Sequence, residues 1–439
     1  MRGDALAILK AALRAGDAGN AVRQHFSLSA SQLRAGTTAI ALNEFDRVFL
    51  VAAGKAAVPM ASAASQVLGR ALTSGIAVTK YGHAGRGLRR LTLIESGHPI
   101  PDEHGLMASE QIHALLRELN ARDLLIVLIS GGASALLPAP AQAITLAAKQ
   151  QTTDLLLRAG ANIAELNAVR KHLSLLKGGR MAALAYPATL VSLLVSDVIG
   201  DPLETIGSGP TAPDPSTFSD ALAVLDKYRV RNRVPKAVRS RLEAGAAGHV
   251  PETPKPGDPI FENVYNVIVG SNRLALEAAA HQAKALGYRT LILSSTVQGE
   301  TREVARVHAQ ILREVRLSGN PVRRPACVLS GGETTVAVNG DGKGGRNQEF
   351  ALSAAIEIEG LSDLLILSAG TDGTDGPTDA AGAIATGKTV SRAAARGLDA
   401  AAHLQANDSY PFFDALGDLI RTGPTGTNLM DIHILLAGS

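Results

Sequence analysis

Short apolar runs that stop at glycine or a polar residue alternate along this chain with longer stretches whose apolar positions recur every three or four residues. Runs over residues 47–53, 75–79, 91–95, 124–130 and 189–196 have the length and branched content of buried strands. Helical spacing fills residues 56–68, 107–119, 146–159 and 163–176. The alternation predicts an α/β domain on a mainly parallel sheet. Leu6, Leu9 and Leu13, set among alanines, predict an amphipathic first helix. After Ala246 the pattern breaks at VPETPKPGDP, where Pro251, Pro254, Pro256 and Pro259 favour an extended linker. An N-terminal domain over residues 1–248, a Pro-rich linker over 249–262 and a C-terminal domain over 263–439 follow from that break. In the C-terminal domain, strand-like runs at 264–270, 290–294, 327–330, 334–338 and 364–369 alternate with helices at 272–286 and 301–317. The run at 334–338 follows its predecessor too closely for a helical crossover, which predicts a mixed sheet.

Composition narrows the class. With 439 residues, 46% hydrophobic and 19% charged, the chain is a globular protein of two or three domains, each with its own core. The net charge of +3 is spread without a basic stripe, so nucleic acid is not an expected partner. Cys327 is the only cysteine, which excludes an intramolecular disulfide framework and a thiolate zinc cage and fits the cytoplasm. No apolar run has the length of a transmembrane helix, so no membrane partner is expected.

Two loops share an echo. LLIVLISGGAS and ACVLSGGET each deliver Ser-Gly-Gly at the carboxyl end of a buried strand, where open α/β sheets place ligands. Ser130, Gly131, Gly132, Ala133 and Ser134 form the first, a candidate anion loop or a plain tight turn. Around the second, the glycine-rich stretch from Ser330 to Phe350 carries Glu333, Lys343, Arg346 and Asn347 and reads as an anion-binding surface. Lys55 follows Gly54 at a strand-to-helix junction, as either an anion ligand or a surface lysine. Arg170, Ser174 and Lys177 share one helical face, solvated or clamping a carboxylate or phosphate. Asp197 ends an apolar strand, placed to hold Mg²⁺ or to accept a hydroxyl proton. Asp201, before Pro202, suits turn chemistry, and the run from Gly207 to Thr211, which includes Ser208, offers amides and hydroxyls. Asp372, Asp375 and Asp379 lie on a glycine-rich loop as candidate cation ligands, without EF-hand spacing.

Gly340, Gly342 and Gly345 satisfy G-x-G-x-x-G, the dinucleotide fingerprint, but in a poor context: Arg346 and Asn347 stand where an apolar helix contact belongs. The P-loop pattern, the protein-kinase signatures and the G-x-S-x-G elbow are absent.

The series VAAGKAA, ESGHPIPD, LISGGASALL, LNAVRKHLSLLKGGRMA, LLVSDVIGDPLETIGSGPT, LSGGETTV, GKGGRNQEFAL, GTDGTDGPTDAAG and TGPTGTNLMDI resembles the glycerate 2-kinases of the MOFRL-containing type, in order from about residue 5 to about residue 435. The resemblance implies a Rossmann-like three-layer N-terminal domain and a smaller α/β C-terminal domain with the MOFRL region at about 325–435. It also implies an active site in the cleft between them, where ATP and Mg²⁺ support phosphorylation of D-glycerate at the 2-hydroxyl to give 2-phosphoglycerate. Its catalytic set falls on Lys55, Asp197 and Arg346. Ser130 to Ser134, Arg170, Lys177, Ser208, Glu333, Asn347 and Asp372 make up the candidate substrate and nucleotide contacts, with Asp197 and Asp372 as candidate metal ligands. The assembly is left between a monomer and a homodimer. Because some relatives in tartrate utilisation are labelled hydroxypyruvate reductases, an NAD(P)H-dependent reductase is the alternative.

Overall fold

The computed structural model describes residues 1–85 and 88–439. A small antiparallel sheet joins β1 (Phe26–Ser29), β2 (Gln32–Ala35) and β3 (Thr38–Ala41). Next come β4 (Arg47–Ala53), β5 (Leu72–Lys80), β6 (Leu91–Ser96), β7 (Asp123–Ile129), β8 (Thr189–Val195) and β9 (Val264–Gly270), which form a six-stranded sheet in the order β6-β5-β4-β7-β8-β9. Pairings from β6 across to β8 are parallel, and β4, β7 and β8 are apolar and buried almost throughout, as strands covered on both faces must be. The chain steps outward from β4 to β5 and β6, then returns to lay β7 on the other side of β4. Order therefore reverses between β4 and β7, the switch point at which ligands bind beyond the carboxyl ends of such strands.

The second sheet holds β10 (Arg289–Val297), β11 (Ala326–Gly332), β12 (Leu364–Gly370), β13 (Gly382–Thr386), β14 (Leu419–Ile420) and β15 (Asp431–Ala437), in the order β10-β11-β15-β12-β13-β14. Only β10 and β11 pair in parallel. The sheet is mixed as expected, but for another reason. Residues 334–338 form no strand; Thr335 makes a single bridge to Glu300. Both edges of β11 are already occupied, by β10 and β15, so the alternating run has no ladder to join and Val338 is 74% exposed.

Two compact units emerge, one of residues 21–196 and 201–269, the other of residues 1–20, 197–200 and 270–439. The helix Arg2–Ala15 packs on the helix Asn272–Ala285, burying Ala5, Ile8, Leu9 and Ala12, so the first twenty residues group with the C-terminal unit. The Pro-rich stretch is no free linker. Asp214 donates its amide to the Pro254 carbonyl (2.9 Å) and accepts from the Thr253 hydroxyl (3.0 Å), and β9 beyond it completes the N-terminal sheet. Prolines lack amide donors but keep their carbonyls, so an extended segment can still be tied down.

Among the described residues, no helix is long and apolar enough to cross a membrane.

Candidate functional site

Lys55 owes its position to the residue before it. Gly54 has φ +134°, and a Cβ there would sit 2.1 Å from Ser130 Oγ and 2.6 Å from the Ser130 carbonyl oxygen. Glycine lets the turn after β4 lie directly on the turn after β7. The Lys55 amide donates to the Gly131 carbonyl (2.8 Å) and the Ala56 amide to Ser130 Oγ (3.0 Å), which locks the two turns together. Beyond them the amides of Gly131, Gly132 and Ser134 donate to no protein acceptor among the described residues. Three half-buried donors beside a lysine form a ready anion cradle. A Cβ on Gly132 would meet the His98 ring at 3.0 Å and Lys55 Cγ at 3.3 Å. Burial, with Lys55 and Lys80 adding to it, holds His98 below the usual histidine range, so its imidazole is neutral.

A cavity of about 680 Å³ opens beside this loop, with Gly132, Ser134, Arg170 and Lys177 in its lining. Arg170 and Lys177 meet there, though not as expected. The helix is Ile163–His172 and stops short of 176 because residues 173–175 take tertiary partners: Ala141 donates to the Leu173 carbonyl (3.0 Å) and Leu175 to the Ala139 carbonyl (2.9 Å). Ser174 and Lys177 therefore share no helical face with Arg170. Burial, reinforced by Arg170, pushes Lys177 down to about 7. Lys149, which no sequence pattern singled out, lines the same cavity and lies well below the usual lysine range because of burial, then Lys177, Arg170 and Arg241.

Ser208 is buried and acts through a neighbour. Its hydroxyl donates to Asn167 Oδ1 (3.0 Å) and bonds Ser134 Oγ (2.8 Å), which lines the cavity. Gly207, Ser208 and Gly209 all hold φ near +60°, a strained run whose Ser208 and Gly209 carbonyls receive the amides of Gly178 and Gly179. Ala133 is buried at the start of a one-turn helix. Asp197 follows β8 by two residues, and residues 197–200 group with the C-terminal unit.

In the C-terminal unit Arg346 opens the helix Arg346–Glu357. Its Nε donates to Asp431 Oδ2 (2.7 Å) and its Nη1 to Glu333 Oε1 (2.8 Å). Burial works against the Arg346 charge, and Asp431, Glu333 and Asp375 outweigh it. Asp431 is wholly buried; burial pushes its carboxyl up to about 6 against the pull of Arg346 and Asn347. Asn347 is buried and fully spent. It donates to Asp431 Oδ1 (2.8 Å) and accepts from Ser368 (2.7 Å), so it positions Asp431 and does not present itself to a ligand. The Ser368 oxygen then accepts from His433 Nδ1 (2.9 Å), a ring kept neutral by burial, His308 and Arg346.

The acids expected as a cation loop have separate partners. Asp375 accepts from the amides of Asn347 (3.0 Å) and Gln348 (2.9 Å), capping the helix that Gly345 starts without a side chain. Asp379 binds Tyr410 and Arg421, while exposed Asp372 makes one side-chain bond, to the amide of Thr374 in its own turn. Among the described residues no three His, Cys, Asp or Glu side chains form a cage for a metal. The G-x-G-x-x-G glycines also have a packing role: a Cβ on Gly340 or Gly342 would approach the Ala406 carbonyl oxygen to 2.4 or 2.5 Å, and one on Gly345 the carboxyl carbon of Asp375 to 2.4 Å. They let the loop run along residues 406–409 and serve no dinucleotide turn.

Comparison with known proteins fits this layout. Residues 4–243 match a domain of unknown function, DUF4147, and residues 326–431 match the MOFRL family. A glycerate 2-kinase of Pyrococcus horikoshii is 42% identical over 394 residues, 90% of this chain and 88% of that protein. The chain belongs to the glycerate kinase family. A crystal structure of another member, the glycerate kinase of Thermotoga maritima, superposes with a TM-score of 0.88 at 41% identity, covering 99% of both chains. An Agrobacterium vitis relative, 44% identical over 89% of this chain and 87% of its own, is named as a hydroxypyruvate reductase. Within this glycerate kinase fold, Lys149 and Asp431 are the residues that sequence reasoning passed over. Asp431 carried a faint signal, as the lone acid heading the apolar run DIHILLA.

Proposed function

We propose that this chain is an ATP-dependent glycerate kinase of the cytoplasm that phosphorylates D-glycerate at its 2-hydroxyl. The observation that carries the reading is the cradle of Lys55 and the amides of Gly131, Gly132 and Ser134, which have no protein acceptor among the described residues, at the switch point of the N-terminal sheet. Phosphoryl transfer asks a protein chiefly to position its reactants and to neutralise oxygens, and that cradle offers both.

Lys55 would bind a phosphoryl oxygen, and Arg346, held at Nε by Asp431, has remaining guanidinium donors that would bind an anionic oxygen. Asp197 would accept or orient the proton of the glycerate hydroxyl. Carboxylates suit Mg²⁺, which is held by one or two acids together with substrate phosphates and water; Asp197 and Asp372 are the side chains that would hold it. When bound, the ion neutralises phosphate charge. Water must be kept from the phosphoryl group, because it competes with glycerate as acceptor.

Arg346→Ala should lower turnover about 10²- to 10³-fold, the range for removing one preorganised stabiliser, with the fold intact by circular dichroism. ADP release from D-glycerate and MgATP is the readout, and wild-type turnover in the variant would refute the assignment. A parallel incubation of hydroxypyruvate with NADH tests the reductase name, and NADH loss without ADP release would replace the kinase reading.

A further inference from the structure

The cavity in the N-terminal unit has two unlike linings. Ile100 and Leu157 contribute apolar side chains that are 69% and 54% exposed, flanked by Pro99 and Pro101. Lys149, Arg170 and Lys177 contribute three basic side chains, of which Lys149 and Lys177 are only 6% and 3% exposed. Their ammonium groups donate to the carbonyls of Pro138 and Leu137. Among the described residues of the lining no acid offsets them: Asp154, the one carboxylate there, is paired with Arg158 at 2.8 Å. Burying like charges together is costly unless an anion sits among them.

Size and charge decide which anion. About 680 Å³ lies inside the range of about 300–1,000 Å³ typical of cofactor sites and is far larger than a three-carbon acid needs. A single carboxylate would leave the three basic groups undercompensated, whereas a polyphosphate matches them with Lys55 close by. The apolar lining has no use for a small hydroxy acid but suits the face of a purine.

We propose that this cavity takes the nucleoside triphosphate, with its base against Ile100 and Leu157 and its polyphosphate on Lys149, Arg170 and Lys177, and that Lys149 is a phosphate-binding residue. The proposal rests on the kinase reading. Ile100→Asp and Lys149→Met test its two ends by calorimetric titration with ADP and by the KM values for ATP and for D-glycerate. Each variant should weaken ADP by about 10- to 100-fold and raise the ATP KM alike, leaving the glycerate KM within about twofold. A raised glycerate KM with unchanged ADP affinity would assign the cavity to the acceptor and overturn the proposal, as would folded variants in which neither ligand responds. Should Lys149→Met not fold, Ile100→Asp, an exposed position, carries the test alone. Wild-type protein that binds ADP here yet releases none from ATP and glycerate would sink the kinase reading while leaving the nucleotide site standing.

Discussion

Arg346 shows how much of a site lies one residue behind the side chain that would touch substrate. Its guanidinium is aimed by Asp431, and Asp431 by Asn347, Ser368 and His433 in turn. Asp431 titrates at about 6 against an ordinary 3.8, so its contribution to stability is present below about 4 and is lost as pH rises through 6, where burying its charge becomes costly. The site runs the other way, since only the ionised carboxylate pairs with Arg346. Turnover should therefore fall as pH drops through about 6, and Asp431→Asn should be slower at pH 8 by roughly tenfold or more while losing that acid limb. Pre-steady-state turnover between pH 5 and 9 measures both; an acid limb unchanged in the variant would remove Asp431 from the pH response. Arg346, Glu333 and Lys55 stood out in the sequence because cations and acids beside glycines are conspicuous. Lys149 and Asp431 were not, since a lone lysine in a helix and a lone acid before a strand look like any others until tertiary burial sets them among charges.

Element by element, periodicity found all six strands of the N-terminal sheet and β10, β11 and β12 of the second because buried faces impose it, and it passed over β13, β14 and β15. The errors fall where backbone had partners elsewhere. Residues 334–338 alternate like a strand but follow β11, whose two edges β10 and β15 already fill, and residues 173–176 keep helical spacing while their backbone bonds Ala139 and Ala141. The helix Arg346–Glu357 starts at a glycine and depends on a cap from a distant loop, Asp375. Asp375→Ala should cost about 2 kcal/mol, lowering Tm by several degrees, and should also slow turnover by disturbing Arg346 at the first turn. Thermal unfolding beside the kinase assay checks this, and an unchanged Tm would show the cap to be idle.

Over the whole molecule, the division into compact units departs from the composition break. Four prolines mark the stretch after Ala246, yet β9 beyond them belongs to the N-terminal sheet. A fragment of residues 21–269 should be soluble and cooperatively folded, whereas one ending at residue 248 should aggregate for want of β9; equal solubility of the two would restore the boundary at the prolines. What the sequence determined by itself was local: strand and helix periodicity, glycines at tight turns, and the family that its long motifs announce. Only tertiary structure decided which strand edges were open, which acid caps which helix, and which cations share a cavity, because each depends on groups far apart in the chain competing for the same hydrogen bonds and the same buried volume.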